Sequence, residues 1–408
     1  MIPSLKATVG ERSLTLDGRL WSLWASQISP FALKVDALCD YADLPHRWMP
    51  AEGSRLEGIR DHRRVRAITA GRLSLTFPKM SELDEFPLVP FLLGPSGENL
   101  YDSSAIGEWL TTTGHITRAG AAPLLPIEDD ALRFAIHMVD EYFDEFGLYL
   151  AHHNRWKVSA RDNNAGRLLA DDMRPTHGPI ARILERQFPS RQVKRLPYLF
   201  SVGEIDDHGF DDLPKRLRPP ERKGFPPTHA LLEEAFARLL AVIEALLADR
   251  PYLFGDRFTL ADASVYGQLA MNLTDASAET IIRRDGPRVR EWLQRIEEAD
   301  FKASLPDGRI TLDAKVEPLL SEIGRIFVPL MQQNAAAYER HRIAGETCFN
   351  EAGFDAGRAL YDGELAGHPF RSVAKTFQVR VWQSLLEKWN ALSESDRERL
   401  SMLRIEAI

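Results

Sequence analysis

The sequence predicts an α/β unit followed by an all-α remainder, and three observations carry that expectation. Trp21-Ser22-Leu23-Trp24 is a short apolar run leading into a helix opened by Ser29-Pro30, with proline where a helix leaves its N–H unpaired anyway. Further along, Leu88-Val89-Pro90-Phe91-Leu92-Leu93 reads as a strand opened by proline, followed by a turn and a second helix beginning near Asp102-Ser103. From Asp129 onward, apolar residues recur at steps of three or four.

The elements follow in order. The first eighteen residues hold no sustained period and end in the turn signal Asp17-Gly18, so they read as a short extension or an extra hairpin arm. A strand over Leu20–Trp24 leads to a helix from Pro30 to Tyr41 with Phe31, Val35, Leu38 and Ala42 on one face, and Leu44-Pro45 stops it. Residues 54–80, with Arg55, Arg60, Arg63, Arg64, Arg66 and Arg72, are basic and weakly periodic and read as an insertion. Leu132, Ile136, Val139, Phe143, Phe146 and Leu150 form one face of a long helix. Prolines and mixed charge over 190–227 read as a loop or insertion. Thr228 then caps a helix to Leu247, and Arg288–Glu298 is a further one. After a Pro306-Asp307-Gly308 turn the chain is expected to stay helical. The expected helices are Thr311–Arg342, kinked or broken near Pro329, then Ser372–Ala391, then a terminal one opened by Ser395 and Glu398 as a capping box. The resulting division is 18–118, 127–303 and 309–408.

Composition narrows the function classes. A chain of 408 residues that is 44% hydrophobic can bury an ample core. Its net charge of −8, with both signs interspersed, argues against a dedicated nucleic-acid surface. No apolar run approaches the roughly 20 residues of a membrane span and no leader pattern is evident, so a cytoplasmic location is the expectation. The two cysteines, Cys39 and Cys348, make no disulfide framework, and Cys39 beside Leu38 reads as a buried thiol.

Three short segments can carry chemistry. A hydroxyl at a helix start, backed by unpaired N–H groups and the positive dipole end, can stabilise an anion such as a thiolate, and Ser29 stands there with Ser26 as second candidate. Val89-Pro90 presents a backbone edge that a peptide can pair with. Asp102-Ser103 offers an acceptor for an ammonium and donors for a carboxylate. Each also has an ordinary reading as helix cap or strand opener. Phe258-Thr259-Leu260-Ala261-Asp262 is a Thr-x-x-Asp cap and is read as structural. His152-His153 has no second cluster at ligand spacing, so no metal is expected. Phe370, Val373, Phe377, Val381 and Leu385 form an apolar stripe that packs on the body or binds a partner.

Ser29-Pro30-Phe31, Val89-Pro90 and Asp102-Ser103, with Leu253-Phe254-Gly255-Asp256 and the Thr259–Asp262 cap, resemble the glutathione transferase superfamily over residues 18–300. The resemblance implies a thioredoxin-like N-terminal domain, an all-helical second domain and, beyond them, a helical extension. It implies that Ser29 activates the glutathione thiol and that Val89, before a cis Pro90, pairs with the cysteinyl backbone. Asp102 and Ser103 would hold the γ-glutamyl group. Glutathione is then a co-substrate, the second substrate a small, apolar electrophile, and homodimerisation the family's common habit. Arg64, Arg72 or Lys79 is available for the glycyl carboxylate, and Tyr142, Phe143, Phe146, Tyr149 and Trp156 for the electrophile pocket, most of them read as core. The same resemblance admits a non-catalytic scaffold and a glutathione-dependent etherase or dehalogenase.

Overall fold

The computed structural model describes residues 20–83, 89–118, 120–202, 213–301 and 308–403. The expected arm over 1–18, and Pro306 and Asp307 of the expected turn, lie outside these residues. The sheet runs β2-β1-β3-β4, from β1 (Trp21–Trp24), β2 (His46–Met49), β3 (Phe91–Leu93) and β4 (Asn99–Tyr101). β1 and β2 are parallel, with Leu23 opposite Trp48, whereas β3 is antiparallel to β1 and β4 to β3. Because strand side chains alternate, Leu23, Leu92 and Leu100 face α1 (Pro30–Ala42) and α3 (Ser103–Thr112), while Phe91, Leu93 and Tyr101 pack with Val65 and Ile68 of α2 (Arg55–Thr69).

The expected insertion at 54–80 is corrected by this arrangement. Its first part is α2, opened by a capping box in which Ser54 and Glu57 satisfy each other's backbone N–H. Only Gly58, Asp61, Val65 and Ile68 are buried, so the arginines on the remaining faces mask the helical period. The second part is an arm whose Phe77 bridges to Leu100 at the sheet edge.

The helical region begins with α4 (Asp130–Tyr142) and α5 (Leu148–His153), which wide turns at Phe143–Gly147 and Asn154–Val158 join into one helical run. A hairpin of α6 (Ala165–His177) and α7 (Ala181–Arg195) follows, then α8 (His229–Leu246), α9 (Leu260–Ala270), α10 (Ala276–Asp285) and α11 (Pro287–Glu297). α7 occupies part of the expected 190–227 loop. Thr228 precedes α8, but its hydroxyl donates to Phe200 O and accepts from Val202 N instead of capping the helix. The Thr259–Asp262 capping box is present, and Asp262 also accepts from Leu253 N at 2.9 Å. α9 lies against α1 so closely that a Cβ on Gly267 would sit 2.4 Å from Pro30 O.

The expectation of a wholly helical extension is also corrected. α12 (Glu317–Ile343) passes Pro329 unbroken and α13 (Glu351–Asp355) follows. Then β5 (Leu360–Leu365) and β6 (His368–Val373) form a hairpin. Its two-residue turn, Ala366-Gly367, has positive φ at both positions, as the twist of paired strands favours. α14 (Thr376–Ala391) and α15 (Glu394–Ser401) close the chain, and the cap of α15 is Ser393, not Ser395. Phe370, Val373, Val381 and Leu385 are buried, so the stripe packs on the body, its first two residues from a strand. α14 and α15 both lie along α4. Among the described residues no helix is long and apolar enough to cross a membrane.

The sheet unit and the helical region meet at Lys34, only 1% exposed. Its ammonium lies 2.6 Å from Asp140 Oδ1 and 2.7 Å from Asp144 Oδ2, and donates to Ser104 Oγ at 2.8 Å. Ser264 donates to Asp140, and Ser103 to Asp144. Burial opposes the charge on Lys34, but the two carboxylates override it and hold the ammonium above its usual range. Burial pushes the Asp144 carboxyl up to about 6 against the pull of Lys34. Replacing Lys34 by Met would leave two carboxylates buried without their cation, a loss of about 3–5 kcal/mol. Urea unfolding of Lys34→Met measures it, and a loss under about 1 kcal/mol, typical of solvated pairs, would contradict the knot's importance.

Candidate functional site

Two adjoining cavities open where the sheet meets the helices, sharing Phe31, Val89, Leu148, Arg195 and Leu199 as walls. The larger, about 840 Å³, contains Ser29. Ser29 is the N-cap of α1, with extended backbone (φ −92°) that turns the chain from strand into helix. Its Oγ accepts from Ala32 N at 3.4 Å, and among the described residues no acceptor takes its proton, so the hydroxyl can donate into the cavity. Ser26 is differently placed: its Oγ donates to Asp172 Oδ2 at 2.6 Å, an oxygen that also accepts from Gln27 N at 2.9 Å. That contact ties the loop to α6 and leaves Ser26 a positioning residue. Burial pushes the Asp172 carboxyl up to about 6, the two hydrogen bonds pulling the other way.

Val89, Pro90, Asp102 and Ser103 line the smaller cavity, about 250 Å³, and the Val89–Pro90 bond is cis. Asp102 has positive φ (68°) and caps α3, Oδ1 accepting from Ser104 N and Ala105 N at 3.1 Å each. Its Oδ2 accepts from Arg380 Nη2 of α14 at 3.1 Å. The Ser103 hydroxyl donates to Asp144 at 3.2 Å, so its proton is not available to a ligand carboxylate. Ser29 and Asp102-Ser103 thus sit in neighbouring cavities, with Val89 in the wall between.

Other sequence candidates separate on inspection. Arg64 is held by Asn99 Oδ1 at 2.7 Å and by the carbonyls of Gly94 and Glu98, so it braces the β3–β4 turn. Arg72 and Lys79 line neither cavity; His62 and Arg63 of α2 line the larger one instead. Tyr142, Phe143 and Phe146 are core. Trp156 reaches the larger cavity and Tyr149 the smaller. Burial pushes His152 down to about 4, so it is neutral, while His153 turns away to Ser201 and Glu233. Cys39 is fully buried. Asp36 pairs with His46 and accepts from Trp48 Nε1, so the Asp36–Asp40–His46 group serves the α1–β2 core.

The sequence reading missed the contribution of α14. Lys375 Nζ donates to Tyr149 Oη at 2.5 Å, Gln378 Nε2 donates to the same oxygen at 2.9 Å, and both line the smaller cavity with Phe377. Burial pushes Lys375 down to about 7, Glu145 pulling it back up, and burial pushes Glu145 itself up to about 7. Nothing in the local sequence links α14 to Asp102, which lies 278 positions before Arg380. Lys34 is set between Leu33 and Val35 in an apolar helix.

Residues 226–295, spanning α8 to most of α11, match the family model described as Glutathione S-transferase, C-terminal domain. Similar solved structures include a glutathione S-transferase of Ceriporiopsis subvermispora in complex with glutathione, at 15% identity over 69% of this chain and 98% of that one, TM-score 0.41. A glutathione transferase of Phanerochaete chrysosporium has 16% identity over 69% and 98%, TM-score 0.41. A glutathione S-transferase of Rhodospirillum rubrum has 16% identity over 69% and 90%, TM-score 0.37. No curated protein matches. The family match is confined to part of the helical region, and the small mixed sheet with its cis Val89–Pro90 turn lies outside the matched residues. The segment of α12 to α15 likewise lies beyond the matched residues.

Asp172 generates a pH prediction for the loop that carries Ser29. Its folded pKa of about 6 exceeds the usual 3.8, so between these values the folded chain holds a proton that the unfolded chain releases. This contribution is present below pH 3.8 and is lost as pH rises to 6, by at most about 3 kcal/mol. Asp172→Asn should remove that slope from a plot of unfolding free energy against pH. An unchanged slope would refute the assignment.

Proposed function

We propose that the chain is a glutathione-dependent transferase that stabilises the glutathione thiolate for attack on an electrophile. The observation that carries the reading is the Ser29 hydroxyl, free to donate at the start of α1 and walled by Val89, with Asp102-Ser103 beyond that wall. A free thiol has a pKa near ~8.5, so little of it is thiolate at neutral pH. A donated hydrogen bond and the helix N-terminus lower that value. The cysteinyl backbone pairs with Val89. The γ-glutamyl ammonium goes to the Asp102 side, and its carboxylate goes to Arg380, which already faces Asp102 at 3.1 Å. His62 and Arg63 are available to the glycyl carboxylate. The thiolate sulfur then forms the new bond to carbon, and the leaving group departs with its electron pair. Orientation and thiolate stabilisation are the chain's contributions to rate.

One observation favours a rival, the non-catalytic scaffold: both carboxylate oxygens of Asp102 are already engaged. Calorimetric titration with glutathione separates the two. Binding to the unaltered protein, weakened about tenfold or more in Asp102→Ala and Arg380→Met, is the expected outcome. Ser29→Ala should bind with similar affinity while raising the bound thiol's pKa by about one unit, read from thiolate absorbance. No heat of binding at millimolar glutathione would overturn the transferase reading.

A further inference from the structure

The larger cavity carries a charge pattern that glutathione does not account for. Arg63, Arg155, Arg191 and Arg195 line it, and no Asp or Glu does. Arg155 is neutralised by Asp275 at 2.7 Å and Arg195 by Glu351 at 2.9 Å. Arg63, on α2, is the cation already offered to the glycyl carboxylate. That leaves Arg191 of α7, exposed and with no ion-pair partner among the described residues. Burial keeps His152 neutral, so it adds no charge of its own. Inside, the walls are apolar: Ile28, Phe31, Trp156, Leu169 and Phe188. Outside, Arg191 borders two grooves: one shared with Arg186, Lys194 and Arg216 that has no carboxylate, and one whose carboxylates, Glu351 and Asp355, are paired with Arg195 and Arg222.

An apolar chamber with unneutralised guanidinium groups at its rim suits a molecule that is apolar at one end and anionic at the other. The apolar body gains by leaving water, whereas a carboxylate drawn fully inside would lose its hydration without a partner. At the rim the anion keeps part of its solvent and meets a planar donor fork that matches a carboxylate. Arg186 and Lys194 extend the positive field along α7 and favour encounter with anions. We infer that the second substrate of this chain is a carboxylate-bearing aromatic or extended apolar molecule, its body in the cavity beside Ser29 and its carboxylate on Arg191. Its role as a substrate rests on the glutathione reading; its binding does not.

The test uses the full chain saturated with S-methylglutathione, which cannot react, and two probes of one shape, 2-naphthoate and 2-naphthamide. At low salt the naphthoate should bind about tenfold tighter or more, and the margin should shrink as salt rises. Arg191→Gln should bring the two probes to within about twofold, leaving naphthamide and glutathione affinities unchanged. Arg191→Lys, which keeps the charge but not the fork, should retain part of the preference. Equal affinity of the two probes, or a preference that survives in Arg191→Gln, would overturn the inference. Titration with glutathione alone separates the two failures. A naphthoate preference without glutathione binding would uphold the anion site and remove the transferase; glutathione binding without the preference would do the reverse.

Discussion

An ammonium group withdrawn from water must be met by charge and by hydrogen-bond acceptors, and Lys34 is withdrawn almost completely. What meets it comes from separate parts of the chain: Asp140 from α4, Asp144 from the wide turn beyond it, and Ser104 from α3, with Ser264 of α9 closing on Asp140. The Lys34–Asp140 and Lys34–Asp144 pairs cannot form until the sheet unit and the helical region are together. Once formed, they place the two helix starts of interest relative to one another. α1 carries Ser29 at its beginning and Lys34 one turn on; α3 begins at Ser103, whose hydroxyl is itself bonded to Asp144. Ser29 and Asp102-Ser103 are therefore anchored to one buried knot.

The segment of α12 to α15 is part of that same construction. α14 lies along α4, the helix that supplies Asp140; Lys375 and Gln378 at its start line the smaller cavity, and its Arg380 meets Asp102. It changes the chemistry there: Asp102 faces a guanidinium, and Tyr149 accepts from an ammonium and an amide. The buried Glu145, raised toward neutrality, lets Lys375 sit nearby without a close ion pair. The consequence is that Asp102 in the wall of the smaller cavity is answered by a cation from the end of the chain, while Arg63 and Arg191 of the larger cavity have no ion-pair partner among the described residues.

Much of this was legible wherever one side chain satisfies its own neighbourhood. The Ser29-Pro30 start, the Thr259–Asp262 cap and the period of α4 are local contests between backbone and side chain, and they are won the same way in any surroundings. Failures occurred where local signals were mixed. α2 has only four inward residues and a run of arginines on its other faces, so its period is drowned. Most of the β5–β6 hairpin falls between the expected helices and only Ser372 and Val373 fall in one, since Phe370 and Val373 stand at a spacing common to both readings and the turn, Ala366-Gly367, lacks the usual Asn or Asp.

By itself the sequence determined β1 with α1 and β3 with α3, the helix start at Ser29 and the structural part of Asp262. These depend on contacts a few residues long, which chain connectivity enforces. Only the tertiary structure decided that Ser103 is bound to Asp144, that Ser26 is held by Asp172, that Arg64 braces a turn, and that Arg380 faces Asp102. Partners so distant in sequence meet through burial of the apolar faces between them, and burial has no direction until every face has found its place.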